Sequence, residues 1–166
     1  MFVLGIDPGL SVTGYGVVQV DGTAVRARAV GVIRTSPKLP VAERLAELYR
    51  DMADLIAEHH PDEAAIEQVF VNRNLQTATS VGRASGVLLL AAAEAGIPIH
   101  EYTPSAVKMA LTGFGGAPKA QVGEVIAMRF RLDTVPAPAD AADALAIALC
   151  HAQALPLRRA VKGAAS

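Results

Sequence analysis

Phe2-Val-Leu-Gly-Ile-Asp7-Pro-Gly-Leu-Ser-Val-Thr-Gly-Tyr15-Gly-Val-Val-Gln-Val20 reads as a buried strand, a turn and a second strand. The first run is apolar until it stops at Asp7, and Pro8-Gly9 supplies turn geometry. Asp21-Gly22 is a hairpin signal, and residues 24–35 read as a third strand, so the N-terminus predicts three antiparallel strands. After the linker 36–40, Val41, Leu45, Leu48, Tyr49, Met52, Leu55 and Ile56 fall at helical spacing, and Pro61 ends that helix. Residues 63–70 supply a fourth strand, parallel to the first through this crossover. A helix over 75–95, a strand over 97–102, and a short helix started by Thr103-Pro104 follow. Residues 113–117 form a glycine loop, Pro118 starts a helix to about 130, and the last helix covers 139 to about 154. The class is α/β, with a hairpin pair followed by parallel strands and helices on both faces.

At 166 residues, 52% apolar and 19% charged, the chain suits one globular core and excludes disorder. Without Trp, that core is built from Ala, Val, Leu and Ile. The single cysteine, Cys150, excludes an intrachain disulfide and a cysteine zinc cluster, and it follows apolar helix positions. Met1 leads straight into a strand with no secretory leader, and the apolar run 86–93 is too short to span a membrane. The expected location is cytoplasmic. The formal net charge of −1 gives no support to nucleic-acid binding as a whole. Its distribution is more telling: residues 43–67 hold eight acids against Arg44 and Arg50, whereas 70–131 hold six basic residues against Glu94, Glu101 and Glu124.

Four carboxylates occupy positions that suit apolar residues. Asp7 ends the first strand, Glu67 interrupts the fourth, and Asp140 and Asp143 open the last helix. Each costs several kcal/mol of desolvation, on the order of the usual penalty for a charge beside a core, unless paired, protonated or bound to a cation. No basic partner is evident beside any of them in the sequence. Asp7 and Glu67 fall towards the ends of adjacent strands, and Asp140 and Asp143, at i and i+3, share a helix face. Four oxygen donors without a histidine or cysteine cluster suit Mg²⁺ or Mn²⁺. Two such ions about 4 Å apart can activate water and stabilise a leaving oxygen in phosphoryl transfer. His59, His60, His100 and His151 are scattered and read as structural or solvent-exposed. A nucleotide-phosphate reading of the Asp7 turn is set aside: the folds that use such a turn need a second domain, and the P-loop pattern is absent.

Phe70 leaves the core beside Glu67 and is a candidate for stacking on a base. Arg73, Arg83, Lys108 and Lys119 are candidates for phosphate contacts. Lys119 stands out because it lies in a first helical turn, where the dipole disfavours a cation. Gly82 and Gly86 make one side of the 75–95 helix small enough for close approach to the sheet or to a second copy. Residues 1–155 read as one domain and 156–166 as a basic tail expected to fray.

These residues resemble the RuvC family of Holliday-junction endonucleases, within the ribonuclease-H-like superfamily. The matching stretches are Leu4-Gly-Ile-Asp-Pro-Gly-Leu-Ser-Val-Thr-Gly-Tyr-Gly16, Ala65-Ile-Glu-Gln-Val-Phe70, Gly82-Arg-Ala-Ser-Gly-Val87, Tyr102-Thr-Pro-Ser105, Lys119-Ala-Gln-Val122 and Ala139-Asp-Ala-Ala-Asp-Ala-Leu-Ala146. Order and spacing agree over about residues 1–155. The resemblance implies a ribonuclease-H-like fold with a mixed five-stranded sheet, and a homodimer nicking four-way DNA junctions symmetrically. It implies catalytic roles for Asp7, Glu67, Asp140 and Asp143, which hold Mg²⁺ or Mn²⁺, and a supporting role for Lys119. Phe70, Arg73, Arg83, Lys108 and Lys119 would contact DNA, and RuvA–RuvB would be the branch-migration partner. Some relatives carry histidine where this chain has Asp140. A ribonuclease H acting on RNA–DNA hybrids, or a junction-binding scaffold without activity, are the competing expectations.

Overall fold

The computed structural model describes residues 1–69 and 75–164, with side chains as far as residue 156. Its elements are β1 (Phe2–Asp7), β2 (Val12–Asp21), β3 (Ala24–Arg34), α1 (Val41–His59), β4 (Glu63–Glu67), α2 (Leu75–Glu94), β5 (Ile99–Tyr102), α3 (Pro104–Thr112), α4 (Lys119–Phe130) and α5 (Ala139–Ala164). One five-stranded sheet has the order β3-β2-β1-β4-β5. β1 pairs antiparallel with β2 and parallel with β4, while β2 pairs antiparallel with β3 and β4 parallel with β5. The mixed sheet expected from the resemblance is therefore present.

Period-two alternation sorts each strand onto two cores. Leu4 and Ile6 of β1, with Ala64 and Ile66 of β4, pack with Leu48, Met52, Ile56, Ala84 and Leu88 of α1 and α2. Val3 and Ala65 point the other way, into Val107, Val122, Ile126, Leu145 and Leu149 of α3, α4 and α5. Strand and helix registers agree, and every buried side-chain polar atom among the described residues has a partner. Arg44, buried on α1, donates to the hydroxyls of Thr35 and Ser11 and so ties that helix to the turn following β1.

Local chemistry moves three boundaries from their expected places. β5 begins at Ile99 rather than near residue 97, because the Ile97 N–H bonds the Ala92 carbonyl and the Gly96 N–H bonds that of Ala93. This pair closes α2 around Gly96 at φ 71°, and Pro98 has no N–H to give the sheet. β4 stops at Glu67 instead of reaching residue 70, although Gln68 N–H still bonds the Tyr102 carbonyl at 2.8 Å. α5 runs to Ala164 with Pro156 inside it, rather than ending near residue 154. A proline removes one backbone bond of a helix, and the buried Leu155 beside it anchors that turn to the core. No helix of the described residues is long and apolar enough to cross a membrane.

Candidate active site

Ile6 of β1 pairs with Ile66 of β4, so Asp7 and Glu67 are the next residues on adjacent parallel strands. Both follow the alternation onto the face covered by α5. Side chains on a strand ordinarily hold a helix off the sheet, but glycines let α5 come closer. A Cβ on Gly5 would lie 2.2 Å from the Ala144 carbonyl oxygen, and one on Gly14 would lie 1.9 Å from that of Asp140. Gly14 is the antiparallel partner of Asp7. Seating the start of α5 on that backbone brings Asp140 and Asp143 to Asp7.

The third wall is α3 and α4. The Thr103 side chain caps α3 by accepting from the Ala106 N–H at 3.1 Å, and Pro104 takes the first helical position. Pro118 leads into α4 with Lys119 as its first residue. Together they enclose a cleft of about 170 Å³ lined by Asp7, Glu67, Pro104, Val107, Lys108, Lys119, Val122, Asp143 and Ala146.

Burial leads the electrostatics, and crowding of like charge adds to it. Asp7 is pushed from 3.8 up to about 7, by burial first and then by Glu67, Asp143 and Asp140, with Lys119 opposing. Glu67 is raised by burial and by Asp143, against the lowering charges of Lys119 and Lys108. Lys119 Nζ donates to Asp143 Oδ2 at 2.6 Å, and this hydrogen bond raises the lysine's pKa against the opposing effect of burial. The sequence offered no basic partner; α4 provides one from 24 residues away. Two lysines do not offset four carboxylates. A divalent cation would, and an all-oxygen donor set at a site with this excess of negative charge fits a hard ion.

The fold thus gathers Asp7, Glu67, Asp143, Lys108 and Lys119 on one cleft. Asp140 acts on Asp7 through its charge without lining the cleft. Arg83 sits on the exposed side of α2. Phe70 and Arg73 lie outside the described residues. Sequence reading missed the apolar walls Val107, Val122 and Ala146. It also missed the seating role of Gly5 and Gly14, although glycine inside a strand signals close backbone approach.

A family model described as crossover junction endodeoxyribonuclease RuvC matches residues 3–151. The chain belongs to the RuvC family of crossover junction endodeoxyribonucleases. A RuvC from Pelotomaculum thermopropionicum is 46% identical over 162 residues, covering 98% of this chain and 99% of the relative. One from Chloroflexus aggregans is 50% identical over 156 residues, covering 94% and 95%. The solved structure of Thermus thermophilus RuvC in complex with Holliday junction substrate is 39% identical with a TM-score of 0.89, covering 95% of this chain and 96% of that one. The yeast mitochondrial Holliday junction resolvase Ydc2 is 17% identical with a TM-score of 0.63, covering 91% of this chain and 78% of that one, and shares the RuvC fold alone. Membership in the RuvC family implies a divalent metal ion, and the carboxylate cluster is chemically suited to one.

Proposed function

We infer that Asp7, Glu67, Asp140 and Asp143 form the catalytic centre of an endonuclease that resolves Holliday junctions by paired, symmetric nicks. The observation that carries this reading is the crowded cleft, where burial and three neighbouring carboxylates raise Asp7 to about 7. The four acids would hold Mg²⁺, with Mn²⁺ able to substitute, because both are hard ions taking oxygen donors. When bound, the ion supplies activation of water and counter-charge for the leaving oxygen.

The reaction is hydrolysis: water attacks the phosphodiester phosphorus in line, and the bond to the leaving oxygen breaks. Asp140, on the first turn of α5, holds or orients the water. Lys119 places positive charge against the phosphate where negative charge develops, and Lys108 adds a second cation on the same wall. Protons compete for the same carboxylates, so acid pH opposes ion binding and activity.

Phe70, Arg73, Arg83, Lys108 and Lys119 are assigned to DNA contact, Phe70 by stacking on a base and the others by charge. The assembly is a homodimer. Its support is an exposed α2 stripe of Leu75, Thr79, Gly82, Gly86 and Leu90, where a Cβ on either glycine would meet open space. RuvA–RuvB is the branch-migration partner, the nuclease domain is 1–155 with 156–166 as a basic extension, and the location is cytoplasmic.

The test incubates the chain with a mobile four-way junction, an immobile one and an RNA–DNA hybrid, each with Mg²⁺ or EDTA. The expected result is metal-dependent nicks on two junction strands of like polarity. Cutting of the hybrid instead, or binding to the junction without nicking, overturns the reading.

A further inference from the structure

A second group of ligand-type side chains sits at the other end of β4. Glu63 opens that strand, His100 lies on β5 and His151 on α5. Glu63, Ala65 and Glu67 alternate onto the same face, so Glu63 stands about 13 Å along the strand from Glu67, at roughly 3.3 Å per residue. Ala65 pairs with His100, which brings that imidazole beside Glu63. The sequence leaves these residues scattered; three elements of the fold collect them.

The geometry is convergent. His100 Nε2 and His151 Nε2 each lie 2.9 Å from the same oxygen, Glu63 Oε2. The two rings stack with centroids 4.6 Å apart and planes 22° apart. One ligand atom from each residue lies within 4.8 Å of the others. Ligands about 2.9 Å apart subtend roughly a right angle at an ion bonded at about 2.0–2.1 Å, and tetrahedral spacing needs only about 3.3 Å. The two histidine-to-carboxylate spacings thus need to open by only a few tenths of an ångström, and the imidazole nitrogens need to settle at the same spacing from each other. The outer support is also in place. The Tyr102 hydroxyl lies 2.8 Å from His151 Nδ1, and a hydroxyl can donate to that nitrogen or accept from it. When the Nε2 lone pair is used for an ion, the ring proton moves to Nδ1 and donates to the same hydroxyl.

His151 is fully buried, and Glu63 and Tyr102 would satisfy both of its nitrogens as an ordinary core histidine. That bland role does not require a second imidazole on the same carboxylate oxygen. His100 and Glu63 keep 22% and 24% of their side chains exposed, leaving a path for an ion to enter. Two nitrogens and one carboxylate oxygen suit Zn²⁺, whereas the cleft with Asp7 is all oxygen.

We propose that Glu63, His100 and His151 form a Zn²⁺ site, separate from the carboxylate centre, that clamps β4, β5 and α5 together. β4 and α5 also carry Glu67, Asp140 and Asp143, so the clamp holds two site-bearing elements from their far side.

The experiment uses the full chain carrying Asp7→Asn and Asp143→Asn, which cripples the carboxylate centre as a competing binder. Zn²⁺ is titrated by calorimetry and by thermal melting, on this background alone and with His100→Gln or Glu63→Gln added. One equivalent per chain is expected to bind and raise Tm by roughly a few degrees. Either added substitution is expected to weaken binding by about 100-fold or more. Co²⁺ in place of Zn²⁺ is expected to give visible absorption that His100→Gln abolishes. Absence of saturable binding, or equal binding and equal melting shifts with both substitutions, overturns the proposal. If one substituted chain fails to fold, the other and the cobalt spectrum decide. The result is independent of junction nicking, so failure of the nuclease reading leaves it standing.

Discussion

Replacing Asp7 by Asn should make the metal-free protein more stable at neutral and alkaline pH. The side chain keeps its shape and loses its charge. A carboxyl raised from 3.8 to about 7 on folding holds its proton in the folded chain over a range where the unfolded chain has released it. The folded state then binds more protons, so stability is present below about pH 4 and is lost as pH climbs to about 7. At about 1.4 kcal/mol per pH unit, the rise amounts to about 4 kcal/mol as an upper figure. Residual solvent and relaxation around Asp7 reduce it, and a gain of about 2–4 kcal/mol at pH 8 is expected for the substituted chain. Urea denaturation in EDTA, repeated from pH 4 to pH 8, reads this directly. The curves should converge at the acid end and separate steadily above it. Saturating Mg²⁺ should narrow the gap at pH 8, because the wild-type chain gains binding energy that the substituted chain forgoes. Nicking should be lost while junction binding persists. An Asp7→Asn chain no more stable than wild type at pH 8 in EDTA would refute the buried, crowded setting on which the catalytic assignment rests.

Gly14→Ala places a Cβ 1.9 Å from the Asp140 carbonyl oxygen, so α5 or β2 must move. The expected cost is about 1–3 kcal/mol, with nicking at 25 °C falling further than the melting shift explains; a wild-type melting curve and rate would contradict this. Lys119→Ala should lower the single-turnover nicking rate by on the order of 100-fold, well beyond the loss of affinity from its one phosphate contact, and a rate within twofold of wild type would remove the lysine from the mechanism. Junction affinity should fall linearly with the logarithm of salt, and Arg83→Ala or Lys108→Ala should each reduce that slope by about one; a slope indifferent to both would exclude those phosphate contacts.

Much of the site was legible because its logic is local. Apolar alternation on β1 and β4 fixes the face of Asp7 and Glu67, and the i, i+3 spacing fixes that of Asp140 and Asp143. The distance between sheet and α5 was not legible, since it depends on Gly5 and Gly14 meeting backbone atoms more than 120 residues away in the chain. Lys119 reaches Asp143 only because α4 crosses the mouth of the cleft. His151 and Glu63 are 88 residues apart, and no periodicity connects them. The late start of β5 is a backbone hydrogen-bond choice, decided by Gly96, Ile97 and Pro98 rather than by hydrophobic pattern.

The seating of α5 on bare backbone has a mechanical consequence. A helix seated this close on the strands cannot move further onto them, so its acids are held at one depth relative to Asp7 and Glu67. A site held this way favours a nucleic acid that does the bending, and a regular duplex resists with a stacking penalty that a crossover has partly discharged. Discrimination then resides in how readily the branch point yields: crossovers loosened by unpaired bases should be cut faster than fully paired ones, and equal rates would show that the template is not what selects.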